Sequence, residues 1–250
     1  LRCGIAALLF GVTILVRDPK QFRIRLRDFW CFFGTGICSL LFFTYCYFQA
    51  ITIMDLSTAA VLLYTAPSIV MVLSLLLFHE RITAPKLLAL VLAFAGCCLV
   101  SLVGGTHRLS VLGVLYGLGA GFGYALYSIF GQVALARYAP MTVTFYSLFI
   151  SACSIGIVFA ASGADLPPVS GGMVLGVCGL GLFSTALPYI FYTRGLAGLS
   201  PSKASVLAFA EPMVATLVGI FVLHEPITLP AVLGIALIFA GIVVLNRRSS

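Results

Sequence analysis

Charged residues are scarce in this sequence. They make up 8% of its 250 residues and include only seven acids, whereas soluble domains carry about 25% charged residues. Apolar residues make up 62% of the chain, which is more apolar surface than a water-soluble fold can hide. These proportions exclude a soluble globular protein and indicate a chain that lies in a lipid bilayer.

Motifs of catalysis and metal binding are also missing. The His-Glu pairs at 79–80 and 224–225 do not continue into HExxH, and no CxxC pair occurs. The eight cysteines lie in apolar stretches and are expected to be small buried residues. Four acids are scattered through different loops: Asp18, Asp28, Asp55 and Asp165. The sequence therefore predicts that the protein is not an enzyme and has no catalytic residues, no metal site and no cofactor.

Apolar stretches long enough to cross a membrane follow one another with short gaps. Only helices and closed barrels satisfy their backbone groups in lipid, and these runs are too long and too uniform for barrel strands. We therefore predict an all-α integral membrane protein. Its nine transmembrane helices are expected at 1–16, 29–51, 57–78, 87–103, 110–134, 141–161, 171–194, 202–223 and 231–246. A signal peptide at 1–16 is disfavoured, because a basic loop follows it instead of a cleavage site.

The basic residues alternate between gaps. Twelve of the 14 lysines and arginines fall on one side of the predicted membrane, and only Arg2 and Arg108 fall on the other. The positive-inside rule places the twelve in the cytoplasm, so that residue 1 lies outside and the C-terminus is cytoplasmic. The net charge of +7 is thus explained by topology, and no nucleic acid is expected as a partner.

The chain repeats itself at an offset of 145 residues. Residues 47–96 align with 192–241 without a gap, and the block HERITAP at 79–85 meets HEPITLP at 224–230. Five crossings separate the two copies, so the same motif enters the membrane from opposite sides. Inverted repeats follow, at 1–104 and 105–250. The counterpart of the stretch at 110–134 would precede residue 1, so we expect ten helices, five plus five, with the first one missing here.

Polar residues mark the predicted helix ends. Asp55 and Ser200 are equivalent positions, and each is expected to cap the helix that follows it. The two His-Glu pairs are interpreted as the ends of the preceding helices. Glycines recur at every fourth position, which typically allows close helix packing in membranes. They are Gly113, Gly117 and Gly121 in one stretch, with Gly172 and Gly176 in another.

These repeated residues resemble a known family. The segment 47–96, with Pro67, its His-Glu helix end and Gly96, resembles the EamA repeat of the drug/metabolite transporter superfamily, and 192–241 resembles it again. The resemblance covers nearly the whole chain. It implies a ten-helix fold with a central substrate pathway, and export of metabolites, amino acids or toxic compounds.

One acid lies well inside a predicted helix. Glu211 is near the middle of the stretch 202–223, where a charge costs on the order of 2.5–3.5 kcal/mol unless it faces protein or water. Pro212 beside it and Pro67 in the other repeat loosen their helices at that depth. We expect Glu211 to line a central cavity as a protonatable group or a substrate contact. A hydrogen-bonded glutamate that only holds the kink is the alternative.

Other polar side chains are candidates for the same pathway. They are Tyr45, Gln49, Tyr64, Tyr124, Tyr127, Ser128 and Tyr189. Tyr138, Tyr146 and Tyr192 fit better as residues of the membrane interface.

The inverted repeats, the broken helices and the buried acid together favour a secondary transporter that works by alternating access. A membrane scaffold or interaction protein stays the alternative. The expected partners are a small-molecule substrate and the lipid bilayer of the cell membrane, with a homodimer as a further possibility. Pro67 and Pro212 are the expected hinges.

Overall fold

A computed structural model describes residues 1–101, 110–163, 170–224 and 226–247, with the side chain of Arg247 left out. Arg108, Asp165, Glu225 and Arg248 lie outside the described residues, so the expectations that involve them are not addressed. The described segments are helical and contain no strand. The predicted all-α membrane protein is confirmed at this level.

Nine long helices make up the described part of the chain. We number them α1 to α9, and α2 to α9 are each at least 18 residues long and apolar enough to cross a membrane. They are α1 (Arg2–Arg17), α2 (Leu26–Ile53), α3 (Leu56–Phe78), α4 (Ala84–Ser101), α5 (Val111–Leu135), α6 (Pro140–Ala161), α7 (Gly171–Gly198), α8 (Pro201–Val222) and α9 (Leu229–Asn246). With 16 residues, α1 is about 24 Å long, and its crossing stays a prediction.

The helices α3 and α8 are broken near their middles. In α3, the first segment Leu56–Leu63 ends before a turn and Ala66–Phe78 follows. In α8, Pro201–Leu207 and Ala210–Val222 flank a similar turn. The break in α3 lies two to three residues before Pro67, and the break in α8 lies three to four residues before Pro212. A proline ring clashes with the carbonyl of the preceding turn. Both helices are therefore interrupted just before these prolines, and the role of Pro67 and Pro212 as hinges stays a prediction.

Two π-helical segments lie at positions that the offset of 145 residues relates to each other. One is Gly34–Leu41 in α2, and the other is Leu180–Ala186 in α7. This offset maps the second segment onto residues 35–41, which lie within the first segment. Such π-segments often mark functional regions of helices.

The histidines of both His-Glu pairs end their helices in the left-handed conformation. His79 has φ 53° and His224 has φ 56°. After His79, the Glu80 amide donates to the Ser74 carbonyl at 3.2 Å, which closes the end of α3 as a Schellman motif does. The interpretation of these histidines as helix ends is confirmed.

The helices form two compact units, which we describe separately. The first unit comprises Leu1–Phe42 and Leu126–Leu199, and the second comprises Phe43–Ala125 and Ser200–Ser250. Both units therefore contain segments from both predicted repeats. In the first, Phe10, Leu148 and Ile190 belong to a buried core. In the second, the core includes Leu90, Phe209 and Ile238.

Within the second unit, α4 and α9 pack closely through glycines. A Cβ atom at Gly96 would lie 2.6 Å from the carbonyl oxygen of Gly234, and one at Gly234 would lie 2.7 Å from that of Gly96. The equivalent residue of Gly96 in the second repeat is Gly241, where a Cβ would lie 2.8 Å from the Ala89 carbonyl. Both copies of this glycine thus allow close contact of the backbones.

Gly96→Ala is expected to destabilise the protein, because the new methyl group overlaps the α9 backbone. We expect a loss of about 1–3 kcal/mol in the free energy of unfolding, as for other overpacked sites. The measurement is the thermal midpoint of the purified protein in detergent. Gly176→Ala is the matched control, since no described atom beyond its chain neighbours and its own helix backbone lies within 4 Å of a Cβ at that position. Equal midpoints for the two variants would contradict the packing.

The glycine prediction is confirmed in one helix and wrong in the other. In α5, added Cβ atoms would meet Met54 at Gly113, Leu62 at Gly117 and Thr65 at Gly121, all within 2.8 Å. In α7, no described atom beyond the chain neighbours and the helix's own backbone lies within 4 Å of such a Cβ at either of the two predicted positions, 172 and 176. Glycines spaced four residues apart show that one face of a helix lacks side chains, but they do not show that another helix packs against that face.

The cysteine prediction is also only partly right. Cys3, Cys31, Cys46 and Cys97 are buried as expected. Cys153 and Cys178 are exposed on their helices. Exposure of a thiol to lipid costs little free energy, because cysteine behaves as a small apolar residue.

Candidate functional site

A small cavity lies inside the second unit, where the breaks of α3 and α8 come together. Its volume is about 30 Å³, roughly the space of one water molecule. Its lining residues are Leu63, Tyr64, Ala66, Pro67, Tyr124, Ser205, Ala208, Phe209 and Glu211. Four of the residues chosen from the sequence, namely Tyr64, Pro67, Tyr124 and Glu211, are thereby brought together.

The cavity is built from equivalent positions of the two repeats. At the offset of 145 residues, three pairs of its lining residues correspond: Leu63 with Ala208, Tyr64 with Phe209, and Ala66 with Glu211. The rings of the middle pair pack at a tilt of 55° with their centroids 6.2 Å apart. The third pair is unequal, because one repeat has an acid where the other has alanine.

Glu211 is the acidic member of this lining. It is the eleventh residue of the 22-residue helix α8, about 15 Å from its start and hence half-way through a hydrocarbon layer of about 30 Å. Its side chain is exposed, whereas Pro212 next to it is buried. No hydrogen bond joins its carboxyl to any other residue that the structure describes.

Aromatic and thiol groups lie in the vicinity of this carboxyl. Tyr47, Tyr64 and Cys97 all lie close enough for electrostatic interaction with Glu211. Tyr124 packs edge-on against Phe43, with the ring centroids 6.0 Å apart. The site therefore offers one ionisable group among tyrosines and apolar side chains, an arrangement suited to a small, mainly apolar ligand with one polar or charged group.

Three other predicted residues form a separate cluster in the first unit. The Tyr127 hydroxyl lies 2.8 Å from Thr193 Oγ1, and the Ser128 hydroxyl lies 2.7 Å from the Tyr192 hydroxyl. Tyr189 packs edge-on against Tyr127 with ring centroids 5.3 Å apart. These contacts hold α5 against α7, and the residues do not belong to the Glu211 cavity.

The remaining two candidates, Tyr45 and Gln49, do not line the cavity. Tyr45 is 54% exposed and packs edge-on against Tyr116 of α5. Its ring therefore lies on the outer surface of these helices. Gln49 is half-buried in α2. Spacing of four residues put them on one face, but it did not show which face points inward.

The three tyrosines assigned to the membrane interface form hydrogen bonds to protein groups, and their position at the interface stays a prediction. The Tyr138 hydroxyl donates to Asp28 at 2.8 Å, and the Tyr146 hydroxyl donates to the Phe22 carbonyl at 2.7 Å. Tyr192 pairs with a serine as described above. Their hydroxyls are engaged inside the first unit, which a position near a helix end did not reveal.

Phe209 and Ser205 line the cavity although the sequence analysis did not select them. The signal for Phe209 was available, because it is the repeat equivalent of Tyr64, which was selected. Ser205 has no such marker, since serines occur throughout the apolar helices.

A polar cluster lies at one end of the second unit around Glu80. Its carboxylate accepts hydrogen bonds from Ser200 at 2.6 Å, Ser202 at 2.8 Å and the Lys86 ammonium group at 2.6 Å. Burial opposes the charged form, but these three donors together hold the pKa of Glu80 below its ordinary value. The cluster ties the end of α3 to the beginning of α8.

This cluster corrects the capping prediction. Ser200 and Asp55 occupy the N-cap positions of α8 and α3, yet neither side chain accepts a hydrogen bond from the amides of the first turn. The Ser200 hydroxyl donates to the Glu80 carboxylate, and such hydrogen bonds to a charged acceptor are stronger than those between neutral groups.

Comparison with known proteins identifies the family. Residues 1–102 and 111–247 match the model of the EamA-like transporter family. An uncharacterized transporter of Archaeoglobus fulgidus is 32% identical over 202 residues, covering 81% of this chain and 71% of the relative. A second one from the same organism is 28% identical over 252 residues, covering 99% and 87%.

A protein of known crystal structure has the same fold. It superposes with a TM-score of 0.83 at 20% sequence identity, covering 98% of this chain and 84% of that protein. The family match extends over most of the chain, and the relatives are named as transporters. The chain therefore belongs to the EamA-like transporter family, as a multi-pass membrane transporter and not an enzyme.

Proposed function

We propose that the protein is a secondary transporter that exports small metabolites, amino acids or drug-like compounds by alternating access. The observation that carries this proposal is the cavity lined by Ala66 and Glu211 at equivalent positions of two repeats. In transporters built from inverted repeats, substrate sites lie near the bilayer midplane at the repeat interface, on interrupted helices. The depth of Glu211 and the breaks of α3 and α8 agree with that pattern.

We assign to Glu211 the binding of a charged ligand during transport. A charged side chain at this depth costs on the order of 2.5–3.5 kcal/mol, and no described partner offsets that cost. An ionisable group at this depth typically marks a pathway for a substrate, an ion or a proton. We propose that Glu211 binds either the coupling proton or a cationic group of the substrate.

The size of the cavity indicates that the site must open. Ligand pockets typically measure about 300–1,000 Å³, against about 30 Å³ here. The segments around Pro67 and Pro212 are the proposed hinges, because the backbone there already lacks regular helical hydrogen bonds. Movement at these breaks would enlarge the cavity toward one side of the membrane at a time.

We further propose that α1 is a ninth membrane crossing and that the C-terminus is cytoplasmic. Two sets of contacts support this topology. The loop after α1 is hydrogen-bonded to the beginning of α6 through Thr142 and Tyr146, and the end of α3 is bonded to the beginning of α8 through Glu80. Each contact joins two loops that the topology places on the cytoplasmic side of the cell membrane.

The test is an export screen in cells that express the protein. Cells with the wild type, with Glu211→Ala and with an empty vector are compared for efflux of, and sensitivity to, amino acids, nucleosides and toxic cations. We expect at least one compound to be exported by the wild type alone. Identical behaviour of all three strains, with insertion in the membrane verified, would contradict the proposal.

A further inference from the structure

A second cavity lies in the first unit, away from the residues that the proposed function uses. Its volume is about 340 Å³, which is large enough for a small ligand. Its lining contains three arginines, one acid and one tyrosine: Arg23, Arg25, Asp28, Arg137 and Tyr138. The lining therefore carries an excess of two positive charges, so an anion is the ligand that it fits.

A hydrogen-bonded frame fixes this lining. Asp28 is buried and forms an ion pair with Arg137. It also accepts a hydrogen bond from the Tyr138 hydroxyl at 2.8 Å, and that hydroxyl in turn accepts one from the Arg25 amide at 3.0 Å. The single acid of the cavity is thus engaged by Arg137 and Tyr138.

The two remaining arginines are available to a ligand. The side chains of Arg23 and Arg25 are exposed, and neither forms an ion pair with any residue in the described ranges. Their guanidinium groups offer planar, paired donors of the kind that bind phosphate oxygens in a bidentate manner.

The loop that carries these arginines is held in place. Thr142 donates to the Gln21 carbonyl at 3.1 Å, and Tyr146 donates to the Phe22 carbonyl at 2.7 Å. Together with the bond from the Arg25 amide, they fasten the loop to the beginning of α6. The arginines therefore project from an ordered backbone, which lowers the entropic cost of binding.

Exposed apolar side chains follow the arginines directly. Leu26 is 89% exposed, Phe29 is 42% exposed and Trp30 is 53% exposed. They begin α2, a helix that can cross the membrane, and tryptophan at such a position is typical of the boundary between headgroups and acyl chains. An anion bound at the arginines would have an apolar surface beside it.

We propose that this cavity binds the phosphodiester headgroup of an anionic phospholipid, with an acyl chain along the exposed beginning of α2. Arg23 and Arg25 hold the phosphate, while Asp28, Arg137 and Tyr138 form the frame. A basic loop alone would attract the membrane surface diffusely. Convergence of the arginines on one cavity next to apolar side chains is what defines a site for one lipid molecule.

The test is lipid binding to the purified protein in detergent micelles, followed by native mass spectrometry. Phosphatidylglycerol and phosphatidylcholine are titrated against the wild type, Arg23→Gln/Arg25→Gln and Lys20→Gln/Arg27→Gln. The last variant is the matched control, because it removes two exposed charges of the same loop that do not line the cavity. We expect the first double variant to weaken phosphatidylglycerol binding about tenfold or more, and the control to change it little.

Three results would overturn the proposal. The first is that the wild type binds phosphatidylglycerol and phosphatidylcholine equally. The second is that both double variants lose the same affinity for phosphatidylglycerol. The third is displacement of phosphatidylglycerol by millimolar glycerol 3-phosphate, which would indicate a site for free phosphate. If Arg23→Gln/Arg25→Gln does not purify as a folded protein, Arg23→Lys/Arg25→Lys replaces it. Lysine keeps the charge but lacks the planar fork, so part of the affinity should be lost, and unchanged affinity would also overturn the site.

Discussion

Glu211→Gln is expected to change transport more than any other substitution of one side chain. Glutamine keeps the size and the polarity of the residue but cannot take up or release a proton. If Glu211 carries the coupling proton, the variant still exchanges substrate across proteoliposomes, but the pH dependence disappears. If Glu211 binds a cationic group, substrate affinity falls about 10- to 100-fold, the usual cost of one hydrogen bond to a charged group.

The two roles are separated by measuring counterflow exchange and pH-driven uptake with the same vesicles. Asp18→Asn is the matched control, since it also replaces an acid by its amide but lies in the loop after α1. Transport by the control should equal that of the wild type. Unchanged exchange together with an unchanged pH profile in Glu211→Gln would remove this residue from the mechanism.

Glu80→Ala is expected to cause the largest loss of stability. The side chains of Glu80 and Lys86 are 12% and 14% exposed, and removal of the carboxylate leaves Lys86, Ser200 and Ser202 without their common acceptor. Breaking a fully buried pair costs about 3–5 kcal/mol, which corresponds to roughly 6–20 °C in the unfolding midpoint for a chain of this size. Since this pair is largely but not fully buried, we expect the loss at the lower end of that range. The midpoint is measured by thermal unfolding in detergent.

Ser202→Ala serves as the comparison for this variant, because it removes one neutral donor and keeps the ion pair. We expect it to cost about 1 kcal/mol, the usual contribution of one hydrogen bond. If the two variants unfold at the same temperature, the cluster does not hold α3 to α8.

Acidification offers a second test of the Glu80 cluster. The pKa of Glu80 is held below its ordinary value of 4.5, so the carboxylate stabilises the folded state fully above that value. This contribution is lost as the pH falls through the lower folded-state pKa. The midpoint difference between the wild type and Glu80→Gln should therefore be constant near neutral pH and shrink below about pH 4.5. A difference that does not depend on pH would contradict the assignment.

The sequence predicted the features that have a strict physical cost. Helices were predictable because lipid cannot satisfy backbone groups, and the breaks of α3 and α8 because proline cannot continue a helix. Glu211 stood out because an acid in the middle of a membrane is expensive. It lines one cavity with Tyr64 and Tyr124, and the role of these three residues in transport stays a prediction.

Features that depend on which face of a helix meets a neighbour were not predictable. Tyr124, Tyr127 and Ser128 share one face of α5, yet Tyr124 lines the cavity of the second unit while the other two bond to α7 in the first. A long helix contacts different neighbouring helices at different positions along its axis, and residue spacing does not show which helix lies at each position. The π-segments of α2 and α7 were missed for a similar reason, since no residue type requires them.

The most direct test of the Glu211 cavity moves its acid to the other repeat. Ala66 occupies the equivalent position and lines the same cavity, so Ala66→Glu/Glu211→Ala returns a carboxyl to the site from the opposite helix. The measurement is the export rate of the compound that the screen identifies, compared with Glu211→Ala alone. We predict that export is lost in the single variant and regained in the double one. A double variant that folds with the midpoint of the wild type but exports no more than Glu211→Ala would contradict a shared site at the junction of the repeats.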